Sequence, residues 1–214
     1  MKLLLTSAGI MNESIAQALL LLTKKSFHKL KVAFIPTAAN IENGDKSWLI
    51  QDLMHCSNLG FSSVDIVDIS ALPHSIWEPR IREADILHVG GGNTYYLAYW
   101  IKKSGLGTLL PELLKTKIYV GTSAGSIVAS PNLTMTSSDP GIIKGAQALN
   151  LVKFYIRPHL HTVDFPQMKK EALEKIALKL QAPIYYLDDQ SAVKVEDTNI
   201  EIISEGDYFI INAG

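Results

Sequence analysis

One cysteine, Cys56, stands in this chain of 214 residues. An intrachain disulfide is therefore excluded, and zinc-type cysteine spacings are absent as well. In Met54-His55-Cys56-Ser57, at the expected end of an amphipathic helix, Cys56 reads as a buried structural thiol. Arginine is nearly as scarce, with Arg80, Arg82 and Arg157 the whole set. No run of Lys or Arg exceeds two residues, and 20 basic side chains face 21 acidic ones for a formal net charge of −1. That balance gives no electrostatic footprint for nucleic acid or an anionic membrane surface, so neither is expected as a partner. Long apolar runs are missing too. Met1-Lys2-Leu3-Leu4-Leu5 is too short for a secretory h-region, and there is no 18-residue apolar span. A soluble cytoplasmic protein is the expectation.

What is present is an alternation of strand-like and helix-like segments. Lys2–Thr6, Val32–Pro36, Val64–Ile69, Ile86–Val89 and Ile118–Val120 read as buried strands, followed by Leu151–Ile156 and Ile184–Leu187. Helices are expected over about Asn12–Lys24, Asp45–Leu59, Glu78–Ala84, Tyr95–Lys103, Gly107–Leu114 and Gln167–Leu180. The second of these carries Trp48, Leu49, Leu53 and Met54 as its apolar residues. From Ala192 onward, turns at Asp197-Thr198-Asn199 and Gly206-Asp207 predict an antiparallel meander at the sheet edge. A hydrophobic share of 47% is enough to cover a parallel sheet on both faces. The pattern predicts one α/β domain over residues 1–214, a three-layer α/β/α sandwich around a mostly parallel sheet.

The sharpest local signal is Ile118-Tyr119-Val120 running into Gly121-Thr122-Ser123-Ala124-Gly125. A β-rich run, then G-x-S-x-G, then small and aliphatic residues is the strand–elbow–helix setting of a nucleophilic serine. Gly121 and Gly125, lacking Cβ atoms, let the chain reverse sharply and the helix pack close. Ser123 is the candidate nucleophile, and it needs a base, an acid to orient that base, and donors for an oxyanion.

Six histidines are available. His28, His55 and His74 fall in helix ends or loops away from the predicted mouth, and His88 reads as a packing histidine inside a strand. His159 and His161 follow a strand, and Pro158 rigidifies the approach to His159, which is the preferred base. An H-x-H metal pair has no third Cys or His ligand, so neither a metal nor a cofactor is expected. Asp139, Asp164, Asp188 and Asp189 compete as the acid; Asp189, just past strand Ile184–Leu187, is preferred, with Asp188 and Asp139 behind it. The oxyanion donors would be the Ala124 N–H and an N–H of Gly91 or Gly92 in Gly90-Gly91-Gly92-Asn93. These clusters all fall at the carboxyl ends of predicted strands, where open parallel sheets bind ligands.

Val89-Gly90-Gly91-Gly92-Asn93-Thr94, then Gly121-Thr122-Ser123-Ala124-Gly125, then Ala148-Leu149-Asn150-Leu151 leading to Pro158-His159, resemble the peptidase E family of aspartyl dipeptidases and cyanophycinases. The resemblance implies a class I glutamine-amidotransferase-like fold and a serine peptidase of short peptides. It implies Ser123 as nucleophile, His159 as base, and Asp189 where the family often has Glu. It also implies Asn93 as a contact for the substrate amine or backbone. The arginine that the family carries after the histidine is missing from Leu160–Lys170, so a substrate carboxylate would fall to Arg157, Lys169 or Lys170. The competing expectation is a non-catalytic domain of the same fold that binds a small molecule or peptide.

Overall fold

Leu3 and Leu5 of strand β1 (Lys2–Thr6) enter one hydrophobic cluster while Leu4 between them enters another. The same division recurs in β2 (Lys31–Ile35), where Ala33 and Ile35 face one side and Val32 and Phe34 the other. Apolar residues on both faces require cover on both faces, and helices supply it. The computed structural model describes residues 1–141, 143–161 and 180–212.

The main sheet has seven strands in the order β3-β2-β4-β5-β1-β8-β9. Strands β3 (Ser63–Ile66), β2, β4 (Ile86–Val89), β5 (Ile118–Thr122) and β1 run parallel. At the edge, β8 (Ser191–Glu196) pairs antiparallel with β1, and β9 (Asn199–Ser204) antiparallel with β8. Helices α1 (Glu13–Thr23) and α2 (Ser47–Asn58) cover one face. The other face carries α3 (His74–Glu83), α4 (Thr94–Ser104), α5 (Leu106–Leu113) and the short α6 (Ala124–Ile127). This is the three-layer arrangement expected from the alternating pattern.

Three details differ from the sequence expectation. The late strands do not all join one sheet: β6 (Tyr155–Arg157), β7 (Ile184–Leu187) and β10 (Tyr208–Ile211) form a separate three-stranded sheet in the order β10-β7-β6. Its own core contains Met135, Tyr155, Leu160, Ile184 and Tyr186, which explains how a small sheet can stand apart. The strand expected over Leu151–Ile156 accordingly starts later, at Tyr155. Helix α3 begins at His74 rather than Glu78 and accommodates Pro79 within it. Helix α2 buries Asp52 and Cys56, whereas Trp48 and Met54 are 39% and 55% exposed. The helix expected over Gln167–Leu180 lies outside the described residues apart from its final residue, Leu180. No helix among the described residues is long and apolar enough to cross a membrane.

Candidate active site

Strand β5 ends in a backbone reversal that aims Ser123 outward. Ser123 has φ 49 and ψ −106, a conformation that non-glycine residues avoid because it crowds Cβ. Surrounding bonds hold it there. The Ser123 N–H donates to Thr6 O at 3.2 Å, and the Ser126 and Ile127 N–H groups both donate to Ser123 O at 2.9 Å. Ser126 Oγ donates to Thr6 O or Gly121 O, and Tyr119 Oη donates to Gly125 O at 2.7 Å. A Cβ on Gly125 would stand 2.0 Å from Val89 O, and one on Gly121 would stand 2.7 Å from the Gly125 carbonyl. Both glycines are thus required by close backbone approach.

His159 reaches Ser123 from the second sheet. Strand β6 delivers Arg157 and Pro158, and His159 then takes a left-handed turn at φ 61. Its backbone N–H donates to Ser7 Oγ at 2.8 Å, and the next N–H, of Leu160, donates to Leu187 O at 2.9 Å. With the backbone pinned, the ring spans two partners: Nε2 is 2.9 Å from Ser123 Oγ, and Nδ1 is 2.7 Å from Asp189 Oδ1. Ser7 Oγ also lies 3.0 Å from Asp189 Oδ1 and can donate to it. Burial pushes the Asp189 carboxyl up. The hydrogen bond and charge of His159, with the Ser7 hydroxyl, outweigh that and hold it below the usual aspartate range.

The other acids and histidines are placed elsewhere. Asp188 Oδ1 accepts the Gln190 N–H and the Ser191 hydroxyl, while its Oδ2 accepts the Asp207 N–H, so it ties a turn. Asp139 accepts the Gly141 N–H on a loop. His161 is 65% exposed, 3.9 Å from Asp207. Asp164, Lys169 and Lys170 lie outside the described residues. His88 is buried, but it is more than a packing residue. Its Nε2 is 2.9 Å from Thr122 Oγ1 and 3.5 Å from Asp52 Oδ1. Burial alone would push its pKa down; the neighbouring Asp52, aided by Cys56, lifts it to about 10.

A cavity of about 790 Å³ opens at this end of the sheet, within the range of small-ligand sites. Ser123, His159 and Asp189 line it together with Gly91, Gly92, Asn93 and Arg157. Gly91 approaches Ser123 so closely that a Cβ there would be 3.4 Å from the Ser123 Cβ. Gly92, at φ 126, would place a Cβ 2.3 Å from Ala38 O. The flanking amides are used, Gly90 N–H on Ile35 O and Asn93 N–H on Ala38 O. Those of Gly91 and Gly92 make no hydrogen bond among the described residues. Ala124 N–H opens helix α6, where first-turn donors have no intrahelical acceptor.

Asn93 sits at the cavity wall with its amide engaged structurally. Oδ1 caps α4 by accepting the Tyr96 N–H, and Nδ2 donates to Asp139 O. Arg157 donates through Nη1 to Met135 O, and burial pushes its guanidinium pKa down to about 10 against the opposing charge effect of Tyr186. Arg80 pairs with Asp65, and Arg82 with Glu78 and Glu112; of the three arginines, Arg157 is the one lining the cavity. Sequence reasoning passed over Ser7 as a joint support of His159 and Asp189. Its one visible signal was position, at the carboxyl end of β1.

Chemically, this is a hydroxyl, an imidazole and a carboxylate in hydrogen-bonded series beside unoccupied backbone donors, an arrangement suited to acyl transfer. No group of three or more His, Cys, Asp or Glu side chains suited to a metal occurs among the described residues.

The family model of peptidase family S51 matches residues 3–203. A protein from Nostoc named peptidase E is 31% identical over 197 residues, covering 86% of this chain and 76% of that one. An uncharacterised peptidase of Listeria monocytogenes is 30% identical over 176 residues, covering 79% and 83%. The crystal structure of a candidate peptidase E from Listeria monocytogenes superposes with a TM-score of 0.81 at 26% identity, over 96% of this chain and 98% of that one. The shared architecture is the class I glutamine-amidotransferase-like sandwich.

Proposed function

The chain belongs to peptidase family S51 and is a serine-type peptidase, and from that premise we propose that it hydrolyses short peptides through an acyl-enzyme on Ser123. The observation that carries this reading is the series Ser123 Oγ, His159 Nε2, His159 Nδ1 and Asp189 Oδ1, joined at 2.9 and 2.7 Å. Asp189 accepts the Nδ1–H, which leaves a lone pair on Nε2 facing Ser123. Ser123 Oγ attacks the peptide carbonyl carbon while its proton passes to Nε2. The oxyanion is taken up by the Ala124 N–H and by Gly91 or Gly92 N–H. The tetrahedral intermediate collapses as Nε2 returns the proton to the leaving amine. Water, activated by the same nitrogen, then releases the acyl group.

The cavity suits a dipeptide better than a long chain, and Arg157 is the group in it able to bind a substrate carboxylate. Asn93 holds the wall through its cap and its bond to the Asp139 loop, and offers its remaining amide proton to a substrate carbonyl. Arg157 already serves Met135 O, so it does not offer its whole fork to a carboxylate. Preference for aspartate at the cleaved residue is therefore weaker than a dedicated bidentate arginine would give. The test is kcat/KM for Asp-Leu, Asn-Leu and Ser-Leu at one salt concentration, in the wild type and in Arg157→Lys. A modest preference for Asp that falls in the variant is expected. A preference above about 10⁴-fold, the size well-paired polar recognition achieves, contradicts the weak-preference reading. An unchanged preference in the variant removes Arg157 from it.

A further inference from the structure

A second pair of ionisable side chains borders the catalytic cavity and takes no part in the steps above. Asp52 on α2 is 5% exposed and His88 on β4 is 1% exposed. Asp52 Oδ1 is sealed from solvent without a hydrogen-bond partner. Its nearest cation is His88 Nε2 at 3.5 Å, an electrostatic contact longer than a hydrogen bond. A carboxylate has about four acceptor positions, and this one leaves them largely unmet in a buried place. Asp52 lines the cavity while His88 does not. Oδ1 is turned toward His88, so the other carboxylate oxygen, which is not sealed and has no hydrogen-bond partner among the described residues, is the one an occupant of the cavity can reach.

We infer that Asp52 receives the α-ammonium of the substrate, so that the peptide is held by its free amino end with the scissile carbonyl at Ser123. The α-nitrogen of the cleaved residue is two bonds from the carbonyl carbon under attack, so its acceptor must lie beside the elbow. Asp52 meets that condition. His88 Nε2 stands between Asp52 and Thr122, 3.5 Å from Asp52 Oδ1 and 2.9 Å from Thr122 Oγ1, which brings the carboxylate near the residue preceding Ser123. A Cβ on Gly9 would be 2.5 Å from Asp52 Oδ1. The missing side chain at Gly9 is what admits it. The other cavity carboxylates fit less well. Asp189 is engaged by His159 and Ser7, and Asp139 accepts the Gly141 N–H on its loop. Glu42 also lines the cavity but is only partly buried, so its carboxylate lacks the desolvated setting of Asp52. An ammonium brings three donors and a full charge, and its bond to a buried carboxylate is charge-assisted.

This assignment rests on the short-peptide reading above, and the experiment separates the two. The probes are the best aminoacyl p-nitroanilide of a panel, its N-acetyl counterpart, and N-acetyl-lysyl p-nitroanilide, whose only ammonium is in the side chain. The proteins are the wild type, Asp52→Asn and Asp52→Ser, the second variant covering a failure of the first to fold. The wild type should prefer the free amine by roughly 100-fold or more in kcat/KM, given what loss of a buried charge partner costs. In the variants that preference should collapse, mainly through the KM of the free-amine substrate, with turnover of the N-acetyl substrate and fluorophosphonate labelling of Ser123 affected far less. A wild type indifferent to acetylation, a preference that survives in the variants, or an Asp52 dependence confined to the lysyl substrate each overturns the assignment. A wild type inactive on every probe and unlabelled overturns the serine mechanism itself, and this inference with it.

Discussion

At the scale of single residues, Ser7 shows how one hydroxyl supports two members of the hydrogen-bonded series of Ser123, His159 and Asp189. It accepts the His159 N–H and lies within donating distance of Asp189 Oδ1. Ser7→Ala should leave KM nearly unchanged and lower kcat roughly 10- to 100-fold, since a small misplacement of a catalytic ring has effects of that order. Fluorophosphonate labelling should slow in parallel; labelling at the wild-type rate would make Ser7 a bystander. Asp189→Asn should lose about 10⁴-fold in kcat, because an amide favours the wrong imidazole tautomer. A loss below about 10-fold would retire Asp189 as the acid. Ser123 and His159 stood out in the sequence because the elbow pattern and a census of six histidines narrow the choice. Ser7 is marked there only by its place at a strand end and His88 reads as a packing residue, while Asp52 does not stand out at all, since their partners lie on distant strands and helices.

At the scale of elements, the β5–α6 turn depends on packing that no side chain can enter. Gly125→Ala would push a Cβ to 2.0 Å from Val89 O, so the variant should lose about 3 kcal/mol or more of stability, in the overpacking range. Urea unfolding measures it; a loss under about 1 kcal/mol would show that the elbow can relax. The five parallel strands were legible because continuous apolar runs mark strands buried on both faces. The second sheet was not, because β6 pairs with β7 across about 30 residues and β10 returns to β7 from the other side of β8 and β9. Helix α2 misled for a different reason. Its hydrophobic residues suggest one buried stripe, but the buried face includes Asp52, which faces His88 Nε2 at 3.5 Å.

At the scale of the whole molecule, strand polarity gathers the candidate residues: five parallel strands bring Ser7, Gly91, Gly92 and Ser123 to one rim, and β6 and β7 of the second sheet bring His159 and Asp189 to it. The same packing places a titratable pair inside. With the His88 pKa raised to about 10, His88 contributes stability that is fully present below its ordinary value near 6.5 and lost as pH rises through about 10. The melting temperature should therefore fall across that alkaline window, and His88→Gln should flatten the fall; an identical slope in the variant would assign it to other groups. Asp189 acts in the opposite sense, its contribution present above the usual aspartate pKa and lost as pH drops through its lowered folded value. The central claim, that Ser123 is the nucleophile activated by His159, is tested most directly by intact-protein and peptide mass spectrometry after treatment with a small fluorophosphonate. One adduct per chain on the peptide bearing Ser123 is expected, absent in Ser123→Ala, which should also lose up to about 10⁶-fold in kcat while keeping its fold. An adduct on another residue, or peptide hydrolysis by purified Ser123→Ala at the wild-type rate, would contradict it.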